Sequence, residues 1–89
     1  MIEREVEIVN RLGLHARAAA KLVQTAGRFD SRVTLVADGE EVDAKSILGI
    51  LLLAAAQGTT VKVRTAGGDE EQAMEAVTGL ISDYFGEGR

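Results

Sequence analysis

The sequence predicts an α+β fold, an open-faced β-sandwich in which three helices cover one face of a four-stranded antiparallel sheet. Segments with alternating apolar and polar residues predict strands with one wet face, and segments with helical spacing lie between them. Their order along the chain is β-α-β-β-α-β-α, which suits helices packed on one side of a sheet. The 89 residues contain no repeat, linker or low-complexity segment, so we expect one domain over residues 1–89.

The first strand and the first helix follow from two different periodicities. Residues 2–8 place apolar side chains on one face and three glutamates on the other. Residues 16–27 carry apolar side chains at helical spacing and end in Gly27, a common C-terminal stop. Gly13 separates these elements, so that His15 stands at the entrance of the helix. The residues expected to face the core are Ile2, Val6, Ile8, Ala19, Ala20, Val23 and Ala26.

The central part of the chain predicts a hairpin followed by a helix. Residues 32–37 alternate, Asp38-Gly39 is a strong signal for a two-residue turn, and residues 40–43 form the returning strand. Ser46 then precedes an apolar run over residues 47–56, whose length and serine start favour a helix over a buried strand.

The last third of the chain predicts one more strand and an amphipathic helix. Residues 59–65 alternate cleanly, and Gly67-Gly68 then turns the chain. Asp69 is the expected N-cap of the last helix, with Gln72 three residues later as its capping-box partner. The apolar stripe of this helix is expected to comprise Ala73, Val77, Leu80, Ile81 and Tyr84.

The composition excludes several classes of function. It is 46% apolar and 27% charged, as in an ordinary globular domain. The longest apolar run, residues 47–56, is too short to span a bilayer, and no signal-peptide pattern precedes the first strand. No cysteine is present, which excludes disulfides, thiol chemistry and zinc knuckles. We therefore expect a cytoplasmic protein that needs no metal and no cofactor and does not insert into a membrane. We also expect it to be a monomer.

The net charge of −4 is unevenly distributed along the chain. Residues 10–34 carry five basic side chains against Asp30 alone, whereas from Asp69 onward six acids stand against one base. This asymmetry predicts a basic end around His15 and an acidic end elsewhere on the molecule. A basic patch also suits nucleic acid, but three aromatic residues are too few for a base-stacking platform. No nucleic-acid partner is expected.

His15, the only histidine, lies where exposed backbone N–H groups meet the positive end of a helix dipole. Arg17 adds a positive charge that the dipole disfavours, and this placement makes sense if an anion, most obviously phosphate, binds there. Both features favour the neutral imidazole, whose lone pair can attack a phosphoryl group. Afterwards the guanidinium and the first-turn N–H groups can donate hydrogen bonds to the phosphoryl oxygens.

A free-standing enzyme is not expected. One histidine and no cysteine cannot form a thiol site or a multi-histidine metal site, and the serines have no base other than His15. The remaining chemistry is that of a group which accepts a phosphoryl group and passes it on. Structural alternatives stay open, because a histidine at this place is often a simple cap and Ser46 is more often only an N-cap.

Part of the apolar run before Gly58 is expected to stay exposed. A helix on an open sheet cannot bury residues on all sides, so Ile47, Leu48 and Leu51 should partly face solvent and mark a partner-binding site. One rival hypothesis is therefore a non-catalytic interaction domain that acts through residues 47–51. Another is a module that senses phosphate or a nucleotide reversibly at the helix entrance.

Residues 13–17 read Gly-Leu-His-Ala-Arg and are followed by an alanine-rich helix. This motif resembles the phosphohistidine signature of the HPr family, the small phosphocarriers of the bacterial phosphoenolpyruvate-dependent sugar phosphotransferase system. Residues 44–51, which include Ser46, resemble its regulatory-serine region. Residues 58–61 and 67–70 fall where the family has its fourth strand and last helix, so the resemblance covers the whole chain.

The resemblance implies a mechanism and its partners. His15 would accept a phosphoryl group on Nδ1 from phosphorylated Enzyme I and pass it to IIA domains of sugar transporters, with Arg17 assisting the phosphoryl group. Ser46 would be the site that an ATP-dependent HPr kinase/phosphorylase modifies, and a phosphate of about −1.5 to −2 charge there would weaken docking. The implied docking face comprises Ala16, Ala20, Ile47, Leu48 and Leu51.

One position departs from the family pattern. The family usually has proline directly after the arginine, whereas this chain has Ala18. Alanine is a good helix former, so we expect the helix and the chemistry of His15 to survive. The change leaves open whether the chain serves the sugar-transport branch or the nitrogen-related regulatory branch of the same system.

Overall fold

The computed structural model describes residues 1–88, which form a four-stranded antiparallel sheet and three α-helices. The elements are β1 (Ile2–Glu7), α1 (Ala16–Ala26), β2 (Arg32–Ala37), β3 (Glu40–Asp43), α2 (Ile47–Leu53), β4 (Thr60–Ala66) and α3 (Glu70–Ser82), followed by a 3-10 turn over Tyr84–Gly86. The strand order is β1-β4-β2-β3, with β4 and β2 in the centre. The open-faced α+β sandwich predicted from the sequence is confirmed.

The strand register places the apolar side chains on the face that the helices cover. Leu35 of β2 lies opposite Val63 of β4, and Val6 of β1 lies opposite Val61. Successive side chains of a strand point to opposite faces, so this register puts all four on one side. Leu35, Val61 and Val63 are completely buried, while Val6 at the sheet edge is partly buried.

The core lies between the sheet and the helices, and the tail of the chain contributes to it. Phe85, the largest buried side chain, comes from the 3-10 turn and was not expected in the core. Tyr84, which was expected on the stripe of the last helix, lies beyond α3 and is exposed, because the chain leaves the helix after Ser82. The other large side chains that are fully buried include Ile8, Leu22, Ile50, Met74 and Ile81.

The second helix is shorter than the helix predicted from the apolar run over residues 47–56. It ends at Leu53, since Ala54 adopts a left-handed conformation with φ 52° and donates its N–H to the carbonyl of Ile50. The next residue, Ala55, is buried and accepts a hydrogen bond from the backbone N–H of Leu14 at 3.0 Å. The end of the apolar run therefore supports the loop before α1 instead of continuing the helix.

The prediction of a capping box at the start of the last helix is wrong. Asp69 occupies the N-cap position of α3, but its side chain makes no capping hydrogen bond. Its carboxylate instead accepts hydrogen bonds from the loop before β2, at Asp30 and Ser31. The side chain of Glu70 accepts a hydrogen bond from the N–H of Gly67 at 3.0 Å and so joins the start of α3 to the preceding turn.

The first helix begins at Ala16 even though alanine replaces the family's proline. Ala18 is completely buried within α1, so the expected survival of this helix is confirmed. Among the residues that the structure describes, no helix has the length and apolar character that crossing a membrane requires.

Candidate functional site

His15 is the N-cap of α1. Its backbone is extended (φ −77°, ψ 177°), and its Nδ1 accepts a hydrogen bond from the backbone N–H of Arg17 at 3.2 Å. Its carbonyl accepts the first helical hydrogen bond, from Ala19 at 2.8 Å. Because an N–H donates only to a lone pair, Nδ1 is unprotonated here and the proton of the neutral ring lies on Nε2.

The loop before His15 is held by close backbone contacts. Gly13 has φ +65°, and a Cβ at this position would lie 2.5 Å from the carbonyl oxygen of Ala55. The buried Asn10 donates from its side-chain amide to the Gly13 carbonyl at 2.8 Å. Together with the bond from Leu14 to Ala55, these contacts tie the start of α1 to the segment that follows α2.

Glu87 reaches His15 from the other end of the chain. Its Oε1 and Oε2 lie 3.2 Å and 3.0 Å from Nε2 of His15, and its side chain is only 11% exposed. The hydrogen bond from His15 is the main cause that lowers the pKa of the Glu87 carboxyl, and the charges of His15, Lys21 and Arg17 add to it against the opposing effect of burial. The predicted acidic end away from His15 is therefore wrong for this residue.

Sequence reasoning missed Glu87 because 72 residues separate it from His15. No motif links the two positions. The signal that could have indicated the contact is Phe85, an aromatic residue in an otherwise polar and glycine-containing tail. Large aromatic side chains are usually buried, and burial of Phe85 requires the end of the chain to fold back onto the core.

Arg17 extends into solvent beside His15 and Glu87. Its side chain is 74% exposed, and its Nη1 lies 4.0 Å from Oε2 of Glu87. Both residues line a cavity of about 320 Å³ together with Arg11 and Leu12. Two guanidinium groups against one carboxylate make this cavity suitable for an anion with more than one negative charge.

Ser46 is the N-cap of α2. Its Oγ accepts a hydrogen bond from the backbone N–H of Gly49 at 3.1 Å, and the residue is partly buried. The N-cap role considered for Ser46 from the sequence is therefore present. It leaves the hydroxyl hydrogen unused by this contact, because the oxygen acts as the acceptor.

The expected exposure of apolar side chains on α2 is confirmed. We use the term apolar patch for the exposed large side chains of this helix, which are Ile47 (45% exposed), Leu48 (66%), Leu51 (37%) and Leu52 (69%). Leu52 was not among the docking residues expected from the sequence. On α1, Ala16 is exposed and Ala20 is partly buried, and α1 packs against α2.

The arrangement places an imidazole lone pair beside groups that favour an anion. Nδ1 of His15 carries a lone pair at a helix N-terminus, where the dipole and the first-turn N–H groups favour an anion. Within residues 1–88, no group of three or more His, Cys, Asp or Glu side chains is placed to hold a metal ion.

Known proteins match this chain over nearly its full length. A family model described as PTS HPr component phosphorylation site matches residues 2–83. The phosphocarrier protein HPr of Cupriavidus necator is 53% identical over 88 residues, or 99% of each chain. The crystal structure of HPr-C-His from Thermoanaerobacter tengcongensis has a TM-score of 0.94 at 48% identity over 98% of each chain. The HPr dimer of that organism has a TM-score of 0.79, also at 48% identity, over 98% of this chain and 100% of that chain.

The fold and these matches define a class of protein, the small phosphocarriers of the phosphotransferase system. Within that class, the chain belongs to the HPr family. The resemblance stated from residues 13–17 and 44–51 is confirmed, and the matches do not favour a non-catalytic interaction domain.

Proposed function

We propose that His15 carries the phosphoryl group, which its Nδ1 accepts from phosphorylated Enzyme I and passes to IIA domains of sugar transporters. The observation that supports this most directly is the hydrogen bond from the Arg17 N–H to Nδ1, because it places the lone pair on the nitrogen at the helix N-terminus. Once Nδ1 bonds to phosphorus, this N–H loses its acceptor and can donate to a phosphoryl oxygen instead.

Arg17 is the second residue of the proposed site. Its side chain is 74% exposed and lies 4.0 Å from the Glu87 carboxylate, so the guanidinium has room to turn toward the new dianion. A helix terminus stabilises an anion by only about 0.3–2 kcal/mol. Such modest stabilisation suits a carrier, since a phosphoryl group held too tightly could not be passed on.

The proposed docking face combines the apolar patch with Ala16 and Ala20. Exposed apolar side chains close together are typical of a protein-binding surface. The donor and each acceptor must bring a reactive atom to the same Nδ1, so they must approach from the same side of the molecule. A single shared face for Enzyme I and the IIA domains follows from this constraint.

We further propose that Ser46 is a regulatory phosphorylation site for an HPr kinase/phosphorylase. The residue directly precedes Ile47 and Leu48, two exposed members of the apolar patch. A phosphate of about −1.5 to −2 charge beside apolar contacts would be desolvated on docking and would weaken it. Incubation with ATP and an HPr kinase should give an acid-stable modification that is absent in Ser46→Ala, and an unmodified wild-type protein would leave Ser46 as a cap.

The proposal places the protein in the cytoplasm as a monomer in which residues 1–89 act as one domain. The solved HPr structures that resemble this chain include a dimer, so the oligomeric state needs its own test. Size-exclusion chromatography with light scattering tests it, because a dimer would elute at twice the 9.4 kDa mass.

The central test is phosphorylation in vitro. Mixing the protein with phosphoenolpyruvate and Enzyme I should give an acid-labile mass gain of one phosphoryl group. The gain should disappear in His15→Ala and remain in Ser46→Ala, which serves as the matched control. A phosphoryl group retained by His15→Ala would show that the site is elsewhere.

One further substitution, two kinds of acceptor and a phosphate titration separate the remaining alternatives. His15→Gln should abolish the function of a carrier but would leave a pure interaction domain intact. Supplying IIA domains of the sugar-transport branch and of the nitrogen-related branch in parallel identifies which branch accepts the group faster. Reversible shifts of the His15 NMR signals on titration with phosphate alone would indicate a sensing module.

A further inference from the structure

The imidazole of His15 is held from two opposite sides. The backbone N–H of Arg17 donates to Nδ1 at 3.2 Å, and the carboxylate of Glu87 lies 3.0–3.2 Å from Nε2. At 3.2 Å the first contact is long and by itself restrains the ring only weakly. The second gives the Nε2 proton a carboxylate acceptor, so the two contacts together hold the orientation of the ring and favour the Nε2–H form.

Contacts within and around the 3-10 turn over Tyr84–Gly86 hold Glu87 in place. Phe85 is completely buried, and its carbonyl accepts a hydrogen bond from Nζ of Lys21 at 2.6 Å. The N–H of Glu87 donates to the carbonyl of Tyr84 at 2.9 Å. Tyr84 and Phe85 both adopt left-handed backbone conformations, with φ 57° and 52°. Such strain in non-glycine residues persists where surrounding contacts enforce it, and it concentrates at functional sites.

The surroundings keep Glu87 ionised at neutral pH. Lys21 and Arg17 place positive charge near the carboxylate, and the hydrogen bond from His15 is the largest of the effects that lower the pKa of Glu87. An ionised carboxylate only accepts hydrogen bonds, so it needs the proton to be on the histidine. The contact is consequently charge-assisted and lies in a largely buried place, where solvent screens it weakly.

We infer that Glu87 is a positioning residue for phosphoryl transfer: it holds the Nε2 proton of His15, so that Nδ1 keeps its lone pair and the ring can take up positive charge as the N–P bond forms. This inference rests on the proposed function of His15. In the step, the Nδ1 lone pair forms the bond to phosphorus, and the bond from phosphorus to the donor atom breaks with its electron pair staying on the donor. The proton on Nε2 does not move.

Onward transfer reverses the charge change at the ring. The electron pair of the N–P bond returns to Nδ1, and the imidazole becomes neutral again while Nε2 remains protonated against Glu87. The carboxylate therefore stabilises the charged ring in the transition state of both transfers. Because the carboxylate binds at Nε2, it does not occupy the Nδ1 side of the ring, where the donor and acceptor must reach.

Two substitutions at position 87 separate orientation from charge. Glu87→Gln retains an oxygen that accepts from Nε2 but removes the negative charge. Glu87→Ala removes both. The matched control is Glu71→Gln, which removes one negative charge from an exposed position in the first turn of α3. All three proteins are compared with the wild type as full-length chains.

The first measurement is the tautomer of the unphosphorylated protein, read from the ¹⁵N shifts of His15 at a pH of about 8.5, well above the usual range for imidazole protonation. We expect the Nε2–H form in the wild type, Glu87→Gln and Glu71→Gln, and a shift toward the averaged values of an unconstrained ring in Glu87→Ala. Averaged values in the wild type would overturn the inference without any reference to phosphorylation.

The second measurement is the rate of phosphoryl uptake from Enzyme I and phosphoenolpyruvate over a range of carrier concentrations. We expect kcat to fall about 10-fold in Glu87→Gln and further in Glu87→Ala, as expected for loss of a charge-assisted hydrogen bond, with KM nearly unchanged. An unchanged kcat in Glu87→Gln, which should fold normally, would overturn the inference. Failure of the wild type itself to acquire a phosphoryl group on His15 would instead overturn the proposed function.

Discussion

Asp69 precedes α3, yet its carboxylate accepts hydrogen bonds from the backbone N–H of Ser31 at 2.9 Å and from the hydroxyl of the same residue. It also accepts one from the N–H of Asp30 at 2.9 Å. These bonds join the loop before β2 to the start of α3 across a separation of 38 residues. The hydrogen bond from the Ser31 hydroxyl is the main cause that lowers the pKa of Asp69, followed by the backbone bond from Asp30.

Replacing Asp69 should destabilise the whole fold. We expect Asp69→Ala to lower the melting temperature by roughly 5–10 °C, because three donors lose their acceptor at once. Differential scanning calorimetry measures the change. Gln72→Ala is the control, since Gln72 is exposed and the predicted capping box is absent. Equal effects of the two substitutions would contradict the role assigned to Asp69.

Stability should decline in acid because several carboxyls have lowered pKa values in the folded protein. The ordinary pKa values are 3.8 for Asp69 and 4.5 for Glu70 and Glu87, and the folded state lowers all three. A lowered pKa contributes stability that is fully present above the ordinary value and is lost as the pH falls through the folded value. We expect a constant melting temperature above about pH 5.5 and a progressive decrease below about pH 4.5.

The variant Asp69→Asn checks which carboxyl contributes to this acid dependence. It removes one titrating group, so its melting temperature should fall less steeply between about pH 4.5 and pH 3 than that of the wild type. Thermal unfolding followed by circular dichroism at a series of pH values gives both slopes. A slope identical to that of the wild type would assign the acid dependence to the other carboxyls.

Gly13→Ala should be more harmful than the same change at another left-handed glycine. A Cβ at Gly13 would lie 2.5 Å from the carbonyl oxygen of Ala55, whereas a Cβ at Gly39 would meet nothing within 4 Å. Both positions have positive φ, so backbone strain of about 1–2 kcal/mol is common to the two variants. We expect Gly13→Ala to lose at least about 1 kcal/mol more, as is typical of overpacking. Urea unfolding measures the difference, and equal losses would refute the steric argument.

Ser46→Ala and Ser46→Asp should separate the structural role of this residue from its regulatory role. Alanine removes the acceptor for the Gly49 N–H, so we expect the free energy of unfolding to fall by about 1 kcal/mol. Aspartate is as good an N-cap as serine and should preserve stability, while its charge slows transfer from Enzyme I. Urea unfolding and the uptake assay measure the two effects. Normal transfer by Ser46→Asp would argue against charge-based regulation.

Leu48→Ser should weaken docking without disturbing the fold. Leu48 is 66% exposed, so its side chain contributes little to the core and more to a partner interface. We expect KM for uptake from Enzyme I to rise about 10-fold, with the NMR signals of His15 unchanged. Val36→Ser is the control, because Val36 lies on the open face of the sheet, opposite the helices. A comparable rise in the control would place the docking face elsewhere.

The features that the sequence predicted correctly depend on contacts within a few residues. The alternating pattern predicted the bounds of β2 correctly, and the Asp38-Gly39 turn correctly predicted β3 as the strand that returns beside it. His15 stands at the start of a helix as expected, and the hydrogen bond that it accepts from the Arg17 N–H joins positions only two apart. Spacing along the chain is sufficient for such contacts, because the backbone conformation brings the partners together.

The features that only the tertiary structure decided are contacts between residues far apart in the sequence. Local spacing predicted that Asp69 caps α3. In the folded protein α3 packs on the sheet with Asp69 beside Ser31, and the carboxylate accepts hydrogen bonds from Ser31 instead of from the helix. The charge distribution predicted that Glu87 belongs to an acidic end remote from His15. Because Phe85 is buried in the core, the tail instead lies against the start of α1, where Glu87 contacts His15. The sequence by itself thus determined the fold class and the family, and it led to His15 as the proposed nucleophile. Its partner at Nε2 was decided by core packing, since burial of one aromatic side chain outweighs the local preference of a polar tail for solvent.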